Sequence, residues 1–199
     1  PTMAQLYVGK KSSKTVLYPM RSKSDMPSTL EDLVHVHGAP NSLFSDNAKI
    51  QIGKRVLDIL HLYAIKDFQC EPHHQHQNFA ERKIGDTKRL TDAIMDRTGT
   101  QSHFWLLCLL YVVFLLNHLA SDALGGLTPI EKATGQRPDI SALLQFRWFE
   151  PVLYSVDHSV AKDSPEKAGR WVGVAETQGD ALTYLILTDD TQQVITRSA

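Results

Sequence analysis

From Trp105 to Leu116 the chain runs through twelve consecutive apolar residues, with His103 shortly before and Asn117 directly after. That stretch restricts what the rest of the molecule can be. A membrane-crossing helix needs about 20 apolar residues, and a run this short is more often a buried helix. No membrane span is therefore expected. A helix that is apolar all round has no polar stripe to offer to water, so the fold must cover it on several sides or hold it in an interface between chains. The remaining sequence has the material for such a cover: 42% of the 199 residues are hydrophobic, which is ordinary for a globular protein and excludes wholesale disorder.

Upstream of that run, two kinds of periodicity alternate. Ala4 to Val8 and Thr15 to Tyr18 are short apolar or β-branched stretches joined by Gly9-Lys10-Lys11-Ser12-Ser13-Lys14, a pattern that predicts a β-hairpin with a polar turn. Ser24 to Gly38 carries helix punctuation, with Ser24 or Ser28 as N-cap, Gly38 as the stop, and Leu30, Leu33, Val34 and His37 on the apolar face. Ser42 to Phe44 predicts a brief strand ending at Asp46. Arg55 to Ile65 predicts a helix with Val56, Ile59, Leu60 and Tyr63 on one face. Phe68 to Glu71 predicts another short strand, and a long helix follows from about Gln77 to Met95. A hairpin followed by alternating helices and strands predicts an α/β layer architecture.

After Leu127 the texture changes. Thr128 to Gly135 predicts a short helix with Pro129 at its start and Gly135 at its end. Beyond Arg147 the pattern is β-like: Phe149 to Ser155, Arg170 to Ala175, Leu182 to Leu187 and Gln193 to Thr196, with turn signals around Gly179 and Asp189-Asp190. Short strands at this spacing predict a small barrel, and the domain boundary is placed near residue 140.

Two carboxylates fall at informative points. Asp46 follows the predicted strand in Ser45-Asp46-Asn47-Ala48, and Glu81 opens the long helix in Gln77-Asn78-Phe79-Ala80-Glu81-Arg82-Lys83. One acid at a strand end and another on a helix can hold a hard divalent cation through oxygen, and two such ions can clamp the attacking and leaving oxygens of a phosphoryl transfer. Lys88, seven residues beyond Glu81, falls on the same helical face and joins Arg82, Lys83 and Arg89 as a candidate phosphate contact, although Asp86, Asp92 and Asp96 dilute that charge. Twenty-one basic against twenty-two acidic side chains give no global field for nucleic acid, so any such surface must be local.

Ser45-Asp46-Asn47, the segment Pro72-His73-His74-Gln75-His76-Gln77-Asn78-Phe79-Ala80-Glu81-Arg82-Lys83, then Leu127-Thr128-Pro129 with Gly135-Gln136-Arg137-Pro138, and finally Gly169-Arg170-Trp171-Val172-Gly173 together resemble, in order, the D,D,E integrase of copia-type LTR retrotransposon polyproteins. The resemblance covers nearly the whole chain. It implies a partial ribonuclease-H-like fold lacking its first strand over residues 1–140, followed by an SH3-like β-barrel over residues 141–199. It implies DNA integration by divalent-metal-dependent polynucleotidyl transfer, comprising 3′-end processing and strand transfer. Asp46 and Glu81 would be the second and third catalytic acids and the ligands of Mg2+ or Mn2+. Asn47 would stabilise the turn after the strand, while Gln77 and Asn78 would meet DNA phosphate or sugar, contacts that position without reading sequence. The implied partners are the element ends, the target duplex and further copies of the chain, in a nuclear or cytoplasmic setting.

The departures are informative as well. Residues 1–24 hold no Asp or Glu, and the earliest acid is Asp25, so the family's first acid has no counterpart. Weak or absent metal binding and loss of activity are expected of this chain alone. Pro1 precedes the first Met, at position 3, and a fragment of a longer product is expected. The alternative reading is a noncatalytic DNA-binding or oligomerisation module derived from an integrase. Cys70 and Cys108 lack metal spacing and are read as free thiols of a reducing compartment. His73, His74 and His76 beside Cys70 do not form a recognised zinc set. Trp105, Trp148 and Trp171 are read as core residues rather than base-stacking platforms.

Overall fold

The computed structural model describes residues 1–45, 53–69, 79–156, 166–176, 178 and 182–198. Contacts divide the chain into two compact units, Pro1–Asp86 and Thr87–Ala199, and the architecture is mixed α/β.

The first unit opens on the expected hairpin. Strands β1 (Met3–Val8) and β2 (Thr15–Met20) pair antiparallel from Met3↔Met20 to Val8↔Thr15. The turn between them closes through the Gly9 amide donating to the Lys14 carbonyl (2.8 Å) and the Ser13 amide donating to the Gly9 carbonyl (2.7 Å). A 3-10 turn over Lys23–Asp25 then leads into α1 (Met26–His37). Neither Ser24 nor Ser28 caps this entry. Asp25 is the N-cap residue but gives α1 no side-chain bond; its carboxylate instead closes the preceding turn, accepting the Arg21 amide at 2.8 Å and the Ser22 amide at 3.1 Å. Helix α1 buries Met26, Thr29, Leu30, Leu33 and Val34, whereas His37, expected on that face, is exposed. The apolar stripe gives out in the last turn, where Gly38 ends the helix at φ 82°.

Strand β3 (Ser42–Ser45) pairs in parallel with β4 (Lys66–Gln69), and α2 (Lys54–Leu62) lies between them in sequence. Helix α2 buries Val56, Ile59 and Leu60 into one cluster with Leu30, Leu33, Val34, Tyr7, Met20 and Ile65. Full burial of a side chain of this size is worth about 1.5–3 kcal/mol relative to leaving it exposed. This cluster, more than the exposed Arg55–Glu31 ion pair at 3.2 Å, holds α1 and α2 together.

Helix α3 (Phe79–Thr98) carries the boundary between the two units within it. In the second unit α4 (Trp105–His118) is the apolar run, preceded by a 3-10 turn over Ser102–Phe104, and α5 (Pro129–Thr134) is the predicted short helix. The Thr128 hydroxyl accepts the Glu131 amide at 3.0 Å, and Gly135 ends α5 at φ 75°, as Pro-start and Gly-stop chemistry requires. Strands β5 (Pro151–Ser155), β6 (Glu166–Val174), β7 (Thr183–Thr188) and β8 (Val194–Ser198) form one antiparallel sheet in sequence order.

Helix α4 is covered less evenly than its composition implies. Cys108, Leu109, Val112 and Val113 are buried, while Leu110 stays 37% exposed. Part of its cover comes from the sheet: Phe104, Cys108 and Val112 share a core with Trp148, Val172 and Leu187, and Leu90, Ile94 and Met95 of α3 pack onto it. No single described helix is long and apolar enough to cross a membrane.

Strand β6 carries a bulge. Trp171 opposes Ile186 and Gly173 opposes Leu185, leaving Val172 as the extra residue, with Gly173 at φ 146°. Val172 is buried in one cluster with α4 and Trp171 in another with Tyr184 and Ala142, as the alternation of strand side chains between the two faces allows. Trp148 and Trp171 are buried within the apolar clusters of the second unit, as expected, whereas Trp105 is half-buried. The Trp148 indole donates to the Thr100 hydroxyl at 3.1 Å.

Candidate functional site

Parallel pairing of β3 and β4 matches Ser42 with Lys66 and Ser45 with Gln69, so both strands end at the same edge of their sheet. In α/β sheets the crevice beyond the carboxyl ends of parallel strands is the usual place for ligands. Asp46 is the residue that follows β3 in the sequence. Asp46, Asn47, Gln77 and Asn78 lie outside the described residues, as do Cys70, His73, His74 and His76. The convergence of Asp46 with Glu81 therefore rests on motif and resemblance.

Glu81 stands in the first turn of α3 and is exposed. A carboxylate there complements the positive end of the helix dipole. Thr87 and Thr91 form the buried side of the helix, and the Thr91 hydroxyl bonds back to the Thr87 carbonyl at 2.8 Å, so its oxygen is satisfied without water. Arg82, Lys88 and Arg89 are exposed and Lys83 is half-buried, with the acids Asp86, Asp92 and Asp96 also exposed. The helix thus brings Glu81, Arg82, Lys83, Lys88 and Arg89 onto one element, as expected, with charge of both signs at its surface. Among the described residues no group of three or more His, Cys, Asp or Glu side chains could hold a metal ion.

The same strand pair carries a feature that periodicity does not reveal. Phe44 and Phe68 stack at 5.0 Å between ring centroids and 13° between planes, and the Lys10 ammonium sits 4.9 Å from the Phe44 centroid. Both rings are about half exposed, at 51% and 47%. The one sequence signal is the lysine-rich turn, which by composition reads only as a polar connection. The stack arises from strand register, which matches Phe44 with Phe68 directly.

Cys108 is a free, buried thiol whose S–H points to the Thr91 carbonyl at 3.8 Å. Burial, with a smaller contribution from the Asp92 charge, pushes its pKa up to about 12. A thiol held neutral in this way is neither nucleophile nor metal ligand.

No protein-family model matches the chain, and no curated protein matches it. Among solved structures, 98% of the chain is similar to 74% of a chain from the cryo-EM structure of the simian T-cell lymphotropic virus intasome in complex with PP2A regulatory subunit B56 gamma, at 16% identity and a TM-score of 0.53. At that identity the likeness concerns the fold alone, and the fold it supports for this chain is integrase-like.

Proposed function

We propose that the chain is derived from a retrotransposon integrase of the copia type, binds DNA, and is catalytically silent on its own. The observation that carries this reading is the fold likeness to an intasome chain along 98% of the sequence, joined to the Asp46 and Glu81 motifs. In this reading residues 1–140 are a ribonuclease-H-like core and residues 141–199 an SH3-like module. Asp46 and Glu81 would hold Mg2+ or Mn2+, an oxygen donor set that suits hard cations. When bound, such ions supply charge stabilisation for polynucleotidyl transfer. Glu81 is an exposed residue in the first turn of α3. With no Asp or Glu in residues 1–24, the chain's own sequence provides two of the three acids. The purified chain is expected to give no strand-transfer product above background with either metal, and robust joining of labelled element ends to target DNA would refute the silent state.

Arg82 and Lys88, both exposed on α3, would contact phosphate. Binding to a duplex should then fall steeply with salt, by a log–log slope of about 0.9 per phosphate contact. Reversing both charges (Arg82→Glu with Lys88→Glu) is expected to weaken duplex binding at least about tenfold and to lower the salt slope by about two. Fluorescence anisotropy across a salt series measures both, and an unchanged affinity counts against DNA contact through α3. Self-association belongs to the same proposal, since Leu110 of α4 and Leu119 beyond it remain exposed. Light scattering on the purified chain reads the mass directly.

A further inference from the structure

We propose that the Phe44–Phe68 stack and the lysine turn beside it form a platform for unpaired nucleotides, distinct from the α3 contacts. It goes beyond the proposed function by adding a second surface and a second substrate class, single strands, within the same nucleic-acid-binding reading.

Three observations meet at this place. The first is exposure: two phenylalanines lie face to face with about half of each ring open to solvent, whereas the ring-bearing residues of the hairpin and of the second unit's cores are for the most part covered. The second is charge. Lys10 sits against the Phe44 ring at 4.9 Å, Lys11 is exposed at the same turn, and Lys66 opens β4 two residues before Phe68. Residues 1–24 carry Lys10, Lys11, Lys14, Arg21 and Lys23 with no acid among them. Of these, Lys10, Lys11 and Lys14 share the turn, whereas Arg21 and Lys23 follow the other end of the hairpin; in a chain with nearly balanced charge overall the turn is a local positive surface, which suits a phosphate backbone and repels a basic one. The third is rigidity. The turn is closed by the Gly9–Lys14 and Ser13–Gly9 backbone bonds, and the rings are fixed opposite each other by the β3–β4 register.

Aromatic faces flanked by cations are how proteins bind single strands without sequence preference: bases stack on the rings while cations track the phosphates. A duplex keeps its bases paired and cannot use the rings, so the platform predicts a preference for single-stranded ends or tails. The shared chemistry, an unpaired base with its phosphate, is offered by DNA and RNA alike.

The test uses the full chain and three fluorescein-labelled probes, a 12-mer of thymidylate, a 12-mer of uridylate and a 12-base-pair duplex, read by anisotropy. Phe68→Ala is expected to weaken the thymidylate 12-mer about tenfold, within the range found for removing one base–aromatic stack, and to leave the duplex within about twofold. Phe68→Tyr should retain binding, and Lys10→Gln should lower the single-strand salt slope by about 0.7. Lys10 lies in a turn, so that variant stays informative if Phe68→Ala unfolds. Uridylate bound as well as thymidylate supports the platform with either nucleic acid as source, and thymidylate alone supports it with DNA as source. Unchanged single-strand affinity in both Phe68→Ala and Lys10→Gln overturns the proposal, and a loss of oligomer mass in Phe68→Ala without loss of oligonucleotide binding overturns it in favour of an interface between copies. The α3 charge reversal separates the two readings: it should cost duplex affinity whether or not the platform exists, and its failure with an intact Phe68 effect removes the α3 contacts alone.

Discussion

Trp171→Ala should cost the second unit about 3–5 kcal/mol, the range for removing a large aromatic from a well-packed core. Trp171 is 1% exposed and meets Tyr111 edge-on at 5.5 Å, Phe146 at 6.2 Å and Tyr184 at 6.3 Å. Its loss leaves a cavity between β6 and the residues before β5, because the neighbouring rings are themselves fixed and cannot all collapse inward. For a unit of this size the melting temperature is expected to fall by roughly 10–20 °C. One term offsets the loss. The buried indole Nε1 has no hydrogen-bond partner among the described residues, so alanine forfeits packing but no hydrogen bond. Trp171→Phe should accordingly be much milder than Trp171→Ala. Thermal melting followed by near-ultraviolet circular dichroism separates the variants, and equal losses would show that ring volume is not what the site requires.

Cys108 should react with a thiol reagent only when the protein unfolds. Its pKa is pushed from the ordinary 9.0 up to about 12, first by burial and then by the Asp92 charge. At pH 8 this shift alone cuts the thiolate fraction roughly a thousandfold, and the side chain has no exposed surface. The measurement is made in a Cys70→Ser background, comparing 5,5′-dithiobis(2-nitrobenzoate) rates in buffer and in urea. Fast native reaction would contradict the burial of α4. A pH dependence follows. The folded state holds this proton more tightly than the unfolded state, so the stabilisation is complete below about pH 9 and is lost as pH rises towards 12. Tyr7 acts in the same direction in the first unit. Burial pushes its phenol from 10.0 to about 12, opposed by its hydrogen bond with Thr29 and aided by Tyr18. Both units should therefore lose stability in alkali.

Local pattern makes most elements legible and leaves their alignment obscure. The Leu30, Leu33, Val34 spacing identifies α1, and alternation with a polar turn identifies the hairpin, because both signals arise within a few residues. Boundaries move where a neighbouring backbone decides them: β4 begins at Lys66 rather than Phe68 because it pairs with all of Ser42–Ser45. The bulge at Val172 has no periodic signature, since an extra residue simply looks like a break in alternation. At the candidate site Glu81 is readable from its helix start. The Phe44–Phe68 stack is not, because it depends on two strands separated by α2 finding one register. The proposed convergence of Asp46 with Glu81 would likewise be a nonlocal matter, which no local pattern encodes.

The extra residue in β6 has a bearing on how the sheet chooses its partner strand. Sliding β7 by one position along β6 would exchange inward and outward faces, and the irregular step at Val172–Gly173 has one place where it can be accommodated. A misaligned sheet would forfeit the seat of Trp171 beside Tyr184 and that of Val172 beneath α4 at the same time, two separate losses for a single error. The kink therefore works as a ratchet pin, admitting one alignment of the strands and rejecting its nearest competitors.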